Sequence, residues 1–427
     1  MNFKRIIGTT TAFLAAAALL VAVPAPAAAQ EVELNVLSWM GNAHRDYYAG
    51  ALAEFEQRHG VKVNLQTTST SAYFDRLQSL IAAGSPPDII FLTVTDLARF
   101  ADSGLLRPLD DLIARDNYDI DDFFPASTEQ YRRRGSLWGI PYDFGNRIVL
   151  YNVGAFNEAG LAEPEKRWDS PGWTNEDLLQ VSQRLIRHAP DGSVQRWAFT
   201  FPTSDRGMAP ILYSFGARYI SEKESAYVTG LAGPEAIDAF TFIQELVAVR
   251  GLARASGGYA DVVSGAAAMS QAIPGNVVPL QAVDFEWDIA PWPRGPAGRF
   301  TSGGGTAWFL MSSSKHPELA WELLKFLTSE KVQLGHMQNG NKAPGRRSVA
   351  FHPDFIEMSP PKSMSVFIEA WQNIVNEPSV TTWSQYWNVV VENLRALTSG
   401  ALSPVQAAER IAQMGNPVLR EAGPPVD

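Results

Sequence analysis

Between Val32 and Leu92 the hydrophobic period of the chain switches back and forth, and this alternation restricts the fold more than any other feature. Val32, Leu34 and Val36 alternate with Glu33 and Asn35, the period of two that a strand requires. Tyr48, Leu52 and Phe55 then recur at i, i+4 and i+7 ahead of Gly60, which is a helix face followed by a stop. Val61, Val63 and Leu65 alternate again, Phe74, Leu77 and Ile81 mark a second helix ended by Gly84, and Asp88-Ile89-Ile90-Phe91-Leu92 suits a buried strand. Strand, helix, strand, helix, strand predicts a parallel sheet with covering helices. Such a sheet takes ligands at the carboxyl ends of its strands, which gathers Ser38-Trp39, the loop 67–73 and residues 93–96 around one crevice.

The middle of the chain repeats this chemistry. Residues 148–151 and 197–201 read as strands, and Ala236, Phe240, Ile243 and Val247 share one helix face, so a second α/β lobe is expected. Residues 289–305 hold Pro291, Pro293, Gly295, Pro296, Gly298 and Gly303-Gly304-Gly305, a composition suited to a crossover. Pro317 then opens a helix whose apolar face is Ala320, Leu323, Leu324 and Leu327.

The chain has 427 residues, a formal charge of −10 and no cysteine. Disulfides, thiolate nucleophiles, Fe–S clusters and cysteine-based zinc sites are therefore excluded. The acidic balance, without a Lys/Arg block, argues against a nucleic-acid partner. Residues 1–29 read as a secretory leader: Lys4 and Arg5, an apolar stretch over 13–23, and an A-x-A site at Ala27-Ala28-Ala29. Cleavage near Gln30 takes the charge from −10 to about −12, because it removes two cations and no acid. No cysteine follows the site, so a protein free in the periplasm rather than lipid-anchored is expected.

Motifs of catalysis are scarce. The histidines at 44, 59, 188, 316, 336 and 352 form no H-x-x-x-H or H-E-x-x-H, and no phosphate-cradling, dinucleotide or nucleophile-elbow motif occurs, so no metal, cofactor or catalytic residue is assigned. Ser312-x-x-Lys315 reads as loop. Asp116, Asp119, Asp121 and Asp122 lack the glycine and terminal glutamate of a calcium loop and read as caps ahead of Phe123-Phe124. Asp143, Asp205, Asp284 and Glu286 leave open a secreted glycosidase, which needs two carboxyl groups about 5 to 9 Å apart.

Ala82-Ala83-Gly84-Ser85-Pro86-Pro87-Asp88-Ile89-Ile90, then Phe100-Ala101-Asp102-Ser103-Gly104-Leu105-Leu106-Arg107-Pro108-Leu109, resembles the family 1 extracellular solute-binding proteins, the carbohydrate receptors of ABC importers. Asp121-Asp122-Phe123-Phe124-Pro125, the run Leu137-Trp138-Gly139-Ile140-Pro141-Tyr142-Asp143-Phe144-Gly145 and Leu150-Tyr151-Asn152 continue the likeness in order. So do Trp173-Thr174-Asn175-Glu176-Asp177-Leu178, Gly303-Gly304-Gly305, Pro317-Glu318-Leu319-Ala320-Trp321 and Pro344-Gly345-Arg346-Arg347-Ser348-Val349. The resemblance implies an α/β, two-lobed, type II periplasmic-binding-protein fold. Its lobes would be discontinuous, 30–140 plus 305–340 and 146–300 plus 346–427, with hinge crossings near 140–146, 300–305 and 339–346. It also implies a monomer with no enzymatic activity that closes on a sugar and is read by a membrane permease.

A sugar packs its C–H faces on aromatic rings and needs fixed donors and acceptors for its hydroxyls. Matching the ligand-contacting loops of that family implies Trp39, Tyr73, Thr95, Asp96, Asp143, Asn146, Asp205, Arg206, Asn276, Gly304, Trp383 and Trp387 as lining residues, with Arg346 added at the hinge. Several have structural alternatives: Trp39 and Tyr73 as core, Asp96 as a helix cap, Trp383 and Trp387 as a packing stripe with Tyr386, and Arg346 as a tie between lobes. Where starch-binding relatives tend to carry aromatics, this chain has Leu92-Thr93, Pro274-Gly275-Asn276 and Thr306, which favours a mono- or disaccharide or polyol glycoside over a long stacking groove. An anionic sugar held by Arg147, Arg206 or Arg346 is the competing ligand class.

Overall fold

Strands β1 (Glu33–Ser38), β2 (Lys62–Thr67) and β3 (Ile89–Thr93) are parallel, with β1 in the middle, Leu34 opposite Val63 and Val36 opposite Ile89. They come from a computed structural model that describes residues 32–203, 206–340 and 343–426; the expected leader and Asp205 lie outside the described residues. Helices α1 (Asn42–His59), α2 (Tyr73–Ala82) and α3 (Val94–Asp102) connect and cover the strands. Gly60 stops α1 in the left-handed region at φ 64, where its N–H donates back to Glu56 O, a conformation that a Cβ would penalise.

This sheet is not wholly parallel. The strand Thr306–Leu310 lies antiparallel beside β3, and Gly139–Pro141 lies antiparallel on its other side. Both added strands reach the sheet from chain that has run through, or is about to enter, the second lobe. The second lobe has the sheet order Ala253–Arg254, Val194–Thr200, Ala267–Ala272, Ile148–Asn152, Trp287–Ala290. Val194–Thr200 is parallel to its two neighbours, and Ile148–Asn152 is antiparallel to both of its own.

Hydrophobic burial keeps the lobes distinct, at about 1.5–3 kcal/mol for each large apolar side chain removed from water. Leu34, Phe91, Leu97, Trp308, Trp321 and Leu324 belong to one core. Tyr151, Phe199, Phe240, Trp292, Tyr386 and Ile411 form another, and Leu150, Ile289, Val349, Phe355 and Phe367 pack as a further cluster.

Between the lobes runs a small sheet in the order Ile374–Asn376, Thr301–Gly304, Gly145–Asn146. Gly303 pairs with Asn146 and Gly304 with Gly145, so two of the chain passages are hydrogen-bonded to one another. A third passage joins them where Phe144 N donates to Ala343 O at 3.1 Å and Asp143 pairs with Pro344. The Pro/Gly composition of 289–305 reads as crossover, yet Thr301–Gly304 is the central strand of this sheet. Its glycines reflect crowding: a Cβ on Gly303 would meet Ile374 Cγ2 at 2.3 Å, and one on Gly305 would meet Asp143 O at 2.3 Å. The reading of Asp121 and Asp122 as caps also changes. The helix Pro125–Glu129 has no side-chain cap, and Asp122 instead accepts from Ser348 N, Ser348 Oγ and Arg346.

Candidate ligand-binding site

The three passages form the floor of a cavity of about 550 Å³. His44, Thr93, Thr306, Asn339 and Gly340 line it from the first lobe's elements, and Arg206 and residues 273–275, 278 and 279 from the second. Asp143, Gly145, Asn146, Arg147, Gly304 and Gly305 supply the floor, and Glu377 follows directly from the strand Ile374–Asn376. Thr93 ends β3, so the carboxyl end of a parallel strand faces this cavity.

Asp143 sits on the floor with its Oδ1 accepting from Thr306 N at 2.7 Å and Thr306 Oγ1 at 2.8 Å. Burial pushes its carboxyl up to about 6, against those two hydrogen bonds, which favour the charged form. Asn146, 1% exposed, donates from Nδ2 to Phe367 O at 2.7 Å, while its Oδ1 has no partner among the described residues. An unpaired acceptor in a polar wall is costly unless something fills it.

The charged groups offset one another. Glu377 meets Arg206 Nη1 at 2.8 Å and Arg147 Nη1 at 3.8 Å, and Arg147 also donates to Ser302 Oγ at 2.9 Å. Arg206 holds a left-handed backbone at φ 54, and its Nε has no partner among the described residues. Beside His44, the Tyr142 hydroxyl lies 2.8 Å from His336 Nε2 and 3.3 Å from His44 Nδ1. Burial lowers both imidazoles, so His44 faces the cavity uncharged at neutral pH.

The residues implied by resemblance divide into four groups. Asp143, Asn146, Arg206 and Gly304 line the cavity. Thr95 and Asp96 stand behind Thr93, whose hydroxyl donates to Asp96 Oδ2 at 2.7 Å and lies 2.9 Å from that of Thr95. Asn276 likewise supports a lining loop, because its Oδ1 accepts from Ile273 N at 3.0 Å. Trp387 lies near the rim, with the Arg206 guanidinium 6.0 Å from its ring, and stacks on Trp383 at 5.7 Å.

Of the other described residues in the set, Trp39, Tyr73, Trp383 and Arg346 do not line the cavity. Tyr73 is fully buried, its hydroxyl accepting from Phe91 N at 3.0 Å, and Trp39 packs edge-on against it at 4.6 Å. Trp383 is buried in the second lobe's core. Arg346 points into the first lobe, where Thr328, Asp122 and Tyr118 saturate it. Among the described residues the lining contains no Trp, Tyr or Phe. Glu377, His44 and Thr306 were absent from the implied set. Glu377-Pro378 carries no local pattern that marks a binding residue, whereas Thr306 directly follows the triple glycine.

Two α/β lobes joined by several passages around a cavity with both charged and aliphatic lining define a receptor architecture of the type II periplasmic-binding-protein class. The chain belongs to the bacterial extracellular solute-binding protein family, whose model matches residues 41–334. It is 21% identical over 402 residues to a galactooligosaccharide-binding protein of Bacillus subtilis, covering 89% of this chain and 88% of that one. It is 21% identical over 384 residues to an erythritol/L-threitol-binding protein of Mycolicibacterium smegmatis, covering 81% and 76%. Among solved structures, an ABC substrate-binding protein of Listeria monocytogenes in complex with cycloalternan superimposes with a TM-score of 0.79 at 19% identity, covering 92% of this chain and all of that one (100%).

Proposed function

We propose that this chain captures a small uncharged carbohydrate, a mono- or disaccharide or a polyol glycoside, and delivers it to the permease of an ABC importer. The observation that carries the reading is the charge-compensated lining, in which Arg147 and Arg206 both meet Glu377 while Asp143, held by Thr306, adds a second carboxyl to the wall. A neutral, hydroxyl-rich solute can exchange hydrogen bonds with such a wall, whereas an anion would have to displace Glu377 from Arg206. Ile273, Pro274, Val278 and Pro279 offer an aliphatic face for sugar C–H groups, and without an aromatic platform a long oligosaccharide groove is disfavoured. Relatives named for binding erythritol/L-threitol and galactooligosaccharide also take hydroxyl-rich solutes, which supports the neutral class.

Delivery requires two states. Ligand contacting both lobes would favour the closed one, with 140–146, 300–305 and 339–346 as the hinges, and the permease would read the lobe faces. The protein works as a monomer in the periplasm, released by cleavage near Gln30. Catalysis forms no part of this reading: Asp143 Oδ1 is occupied by Thr306, and Glu377 by arginines. N-terminal sequencing of the secreted protein checks the location.

The deciding experiment is a thermal-shift screen of polyols, neutral sugars and sugar phosphates at fixed ionic strength, with calorimetry on each hit. Neutral solutes should stabilise the protein, and Arg206→Ala and Asn146→Ala should weaken their binding. Stabilisation by charged solutes alone would overturn the neutral class. Oligosaccharide turnover lost on Asp143→Asn would overturn the receptor itself.

A further inference from the structure

A second cavity, of about 760 Å³, lies in the second lobe and shares no lining residue with the first. Three segments build it: Arg167, Trp168 and Asp169; residues 294 and 297–300; and Glu369, Gln372 and Asn373. Its wall holds a buried cation that forms no ion pair among the described residues. Arg299 is 5% exposed, and its terminal nitrogens donate only to the carbonyls of Arg167, Trp168, Gly172 and Trp173. Among the described residues its Nε has no partner, and neither has the Nε1 of Trp168 in the same wall. A buried guanidinium ordinarily takes a carboxylate, because carbonyl dipoles alone do not neutralise it.

Of the two acids in the lining, Asp169 is ion-paired within the wall and Glu369 is held by a backbone N–H. Asp169 takes Arg167 at 2.8 and 3.1 Å, and Glu369 accepts from Trp168 N at 2.8 Å. Arg294 lines the cavity, is exposed and forms no ion pair among the described residues. Burial and the neighbouring Arg294 pull the Arg299 guanidinium down to about 10, against the weaker opposing pull of Glu165 and Asp169. Arg294 and Arg299 thus share one polar hollow with Glu369 as the acid not already ion-paired, which leaves the described lining one positive charge in excess.

The position of this hollow links it to the hinge sheet. Residues 294–300 run directly into the strand Thr301–Gly304, and 369–373 into Ile374–Asn376. Those strands are paired, Thr301 with Ile374 and Gly303 with Asn376, and they lead to Gly304 and Glu377 in the first cavity. A solute bridging the two segments would hold both strands at their starts.

We propose that this second cavity binds an oxyanion, a phosphate or carboxylate group of a small solute, at Arg294 and Arg299, and that its occupancy steadies the hinge sheet. Neutral-sugar binding in the first cavity is not needed for the test. Calorimetry on the full mature chain, with inorganic phosphate and with citrate at ionic strength matched by chloride, should show saturable binding at one site. The tighter of the two anions identifies the group recognised. Arg294→Ala, an exposed change that leaves the fold intact, should weaken binding about tenfold, the loss of one charge-assisted partner. Hydrogen exchange should slow in 301–304 and 374–376 when the anion binds. Absence of saturable binding in the millimolar range, or equal affinity in Arg294→Ala, overturns the site. Binding that leaves exchange in both strands unchanged overturns the link to the hinge.

Discussion

Two arginines near the passages between the lobes, Arg346 and Arg206, use the same chemistry to different ends. Arg346 donates from Nε to Thr328 O at 2.6 Å, from Nη1 to Asp122 at 2.9 Å and from Nη2 to the Tyr118 hydroxyl at 2.9 Å. Its guanidinium carbon also lies 4.5 Å from the Phe123 ring centre. Arg206 has its ion pair with Glu377, an unpaired Nε, a left-handed backbone and a cavity beside it. A saturated cation fixes chain to chain, whereas an incompletely paired one on a strained backbone is available to a ligand. Arginine at a hinge therefore says little about function until its partners are known.

The largest test of this contrast removes the tie. Arg346→Ala leaves Asp122 half-buried without its cation and should cost about 3–5 kcal/mol in urea unfolding, the range for breaking a buried pair. A loss below about 1 kcal/mol would contradict the role of a tie. Glu377→Gln comes next. It keeps the shape but leaves Arg206 and Arg147 uncompensated, for about 2–4 kcal/mol of stability, and should shift the ligand screen towards anions. An unchanged neutral-ligand profile in that variant would show that Glu377 does not set the charge preference.

The first three strands were legible because their hydrophobic period is local: Val36 and Ile89 are buried neighbours in the sheet that the alternation implies. The antiparallel arrival of Thr306–Leu310 was not, since it depends on a partner strand more than 200 residues away in sequence, Ile89–Thr93. In the cavity, Asp143, Asn146 and Gly304 were reached through the family resemblance, and they lie where the three chain passages pair with one another. Tyr73 and Trp383 show the opposite case. Their aromatic character suits a sugar platform and a core equally, and only packing separates the two. Glu377 had no sequence signal, because its meaning comes from Arg147 and Arg206, both distant along the chain.

A smaller effect comes from pH. Burial raises the Asp143 carboxyl to about 6, above its ordinary value near 3.8, so the native state holds this proton more tightly than the unfolded chain. The group's contribution to stability is therefore fully present below about pH 4, falls as pH rises to about 6, and then levels off. For a partly exposed carboxyl the fall amounts to about 2 kcal/mol. Asp143→Asn should lack this fall, and the difference between the two stability–pH curves isolates it. Parallel curves would mean that Asp143 titrates as an ordinary surface acid.

The smallest effect checks the other side of the contrast. Tyr73→Phe removes one fully buried hydroxyl that accepts from Phe91 N and donates weakly to Leu37 O, worth about 1 kcal/mol. Because this group packs in the core and does not line the cavity, ligand affinity should stay the same while stability drops. A weakened ligand with unchanged stability would move Tyr73 from the core to the binding surface, and with it the Trp39 ring packed on its edge.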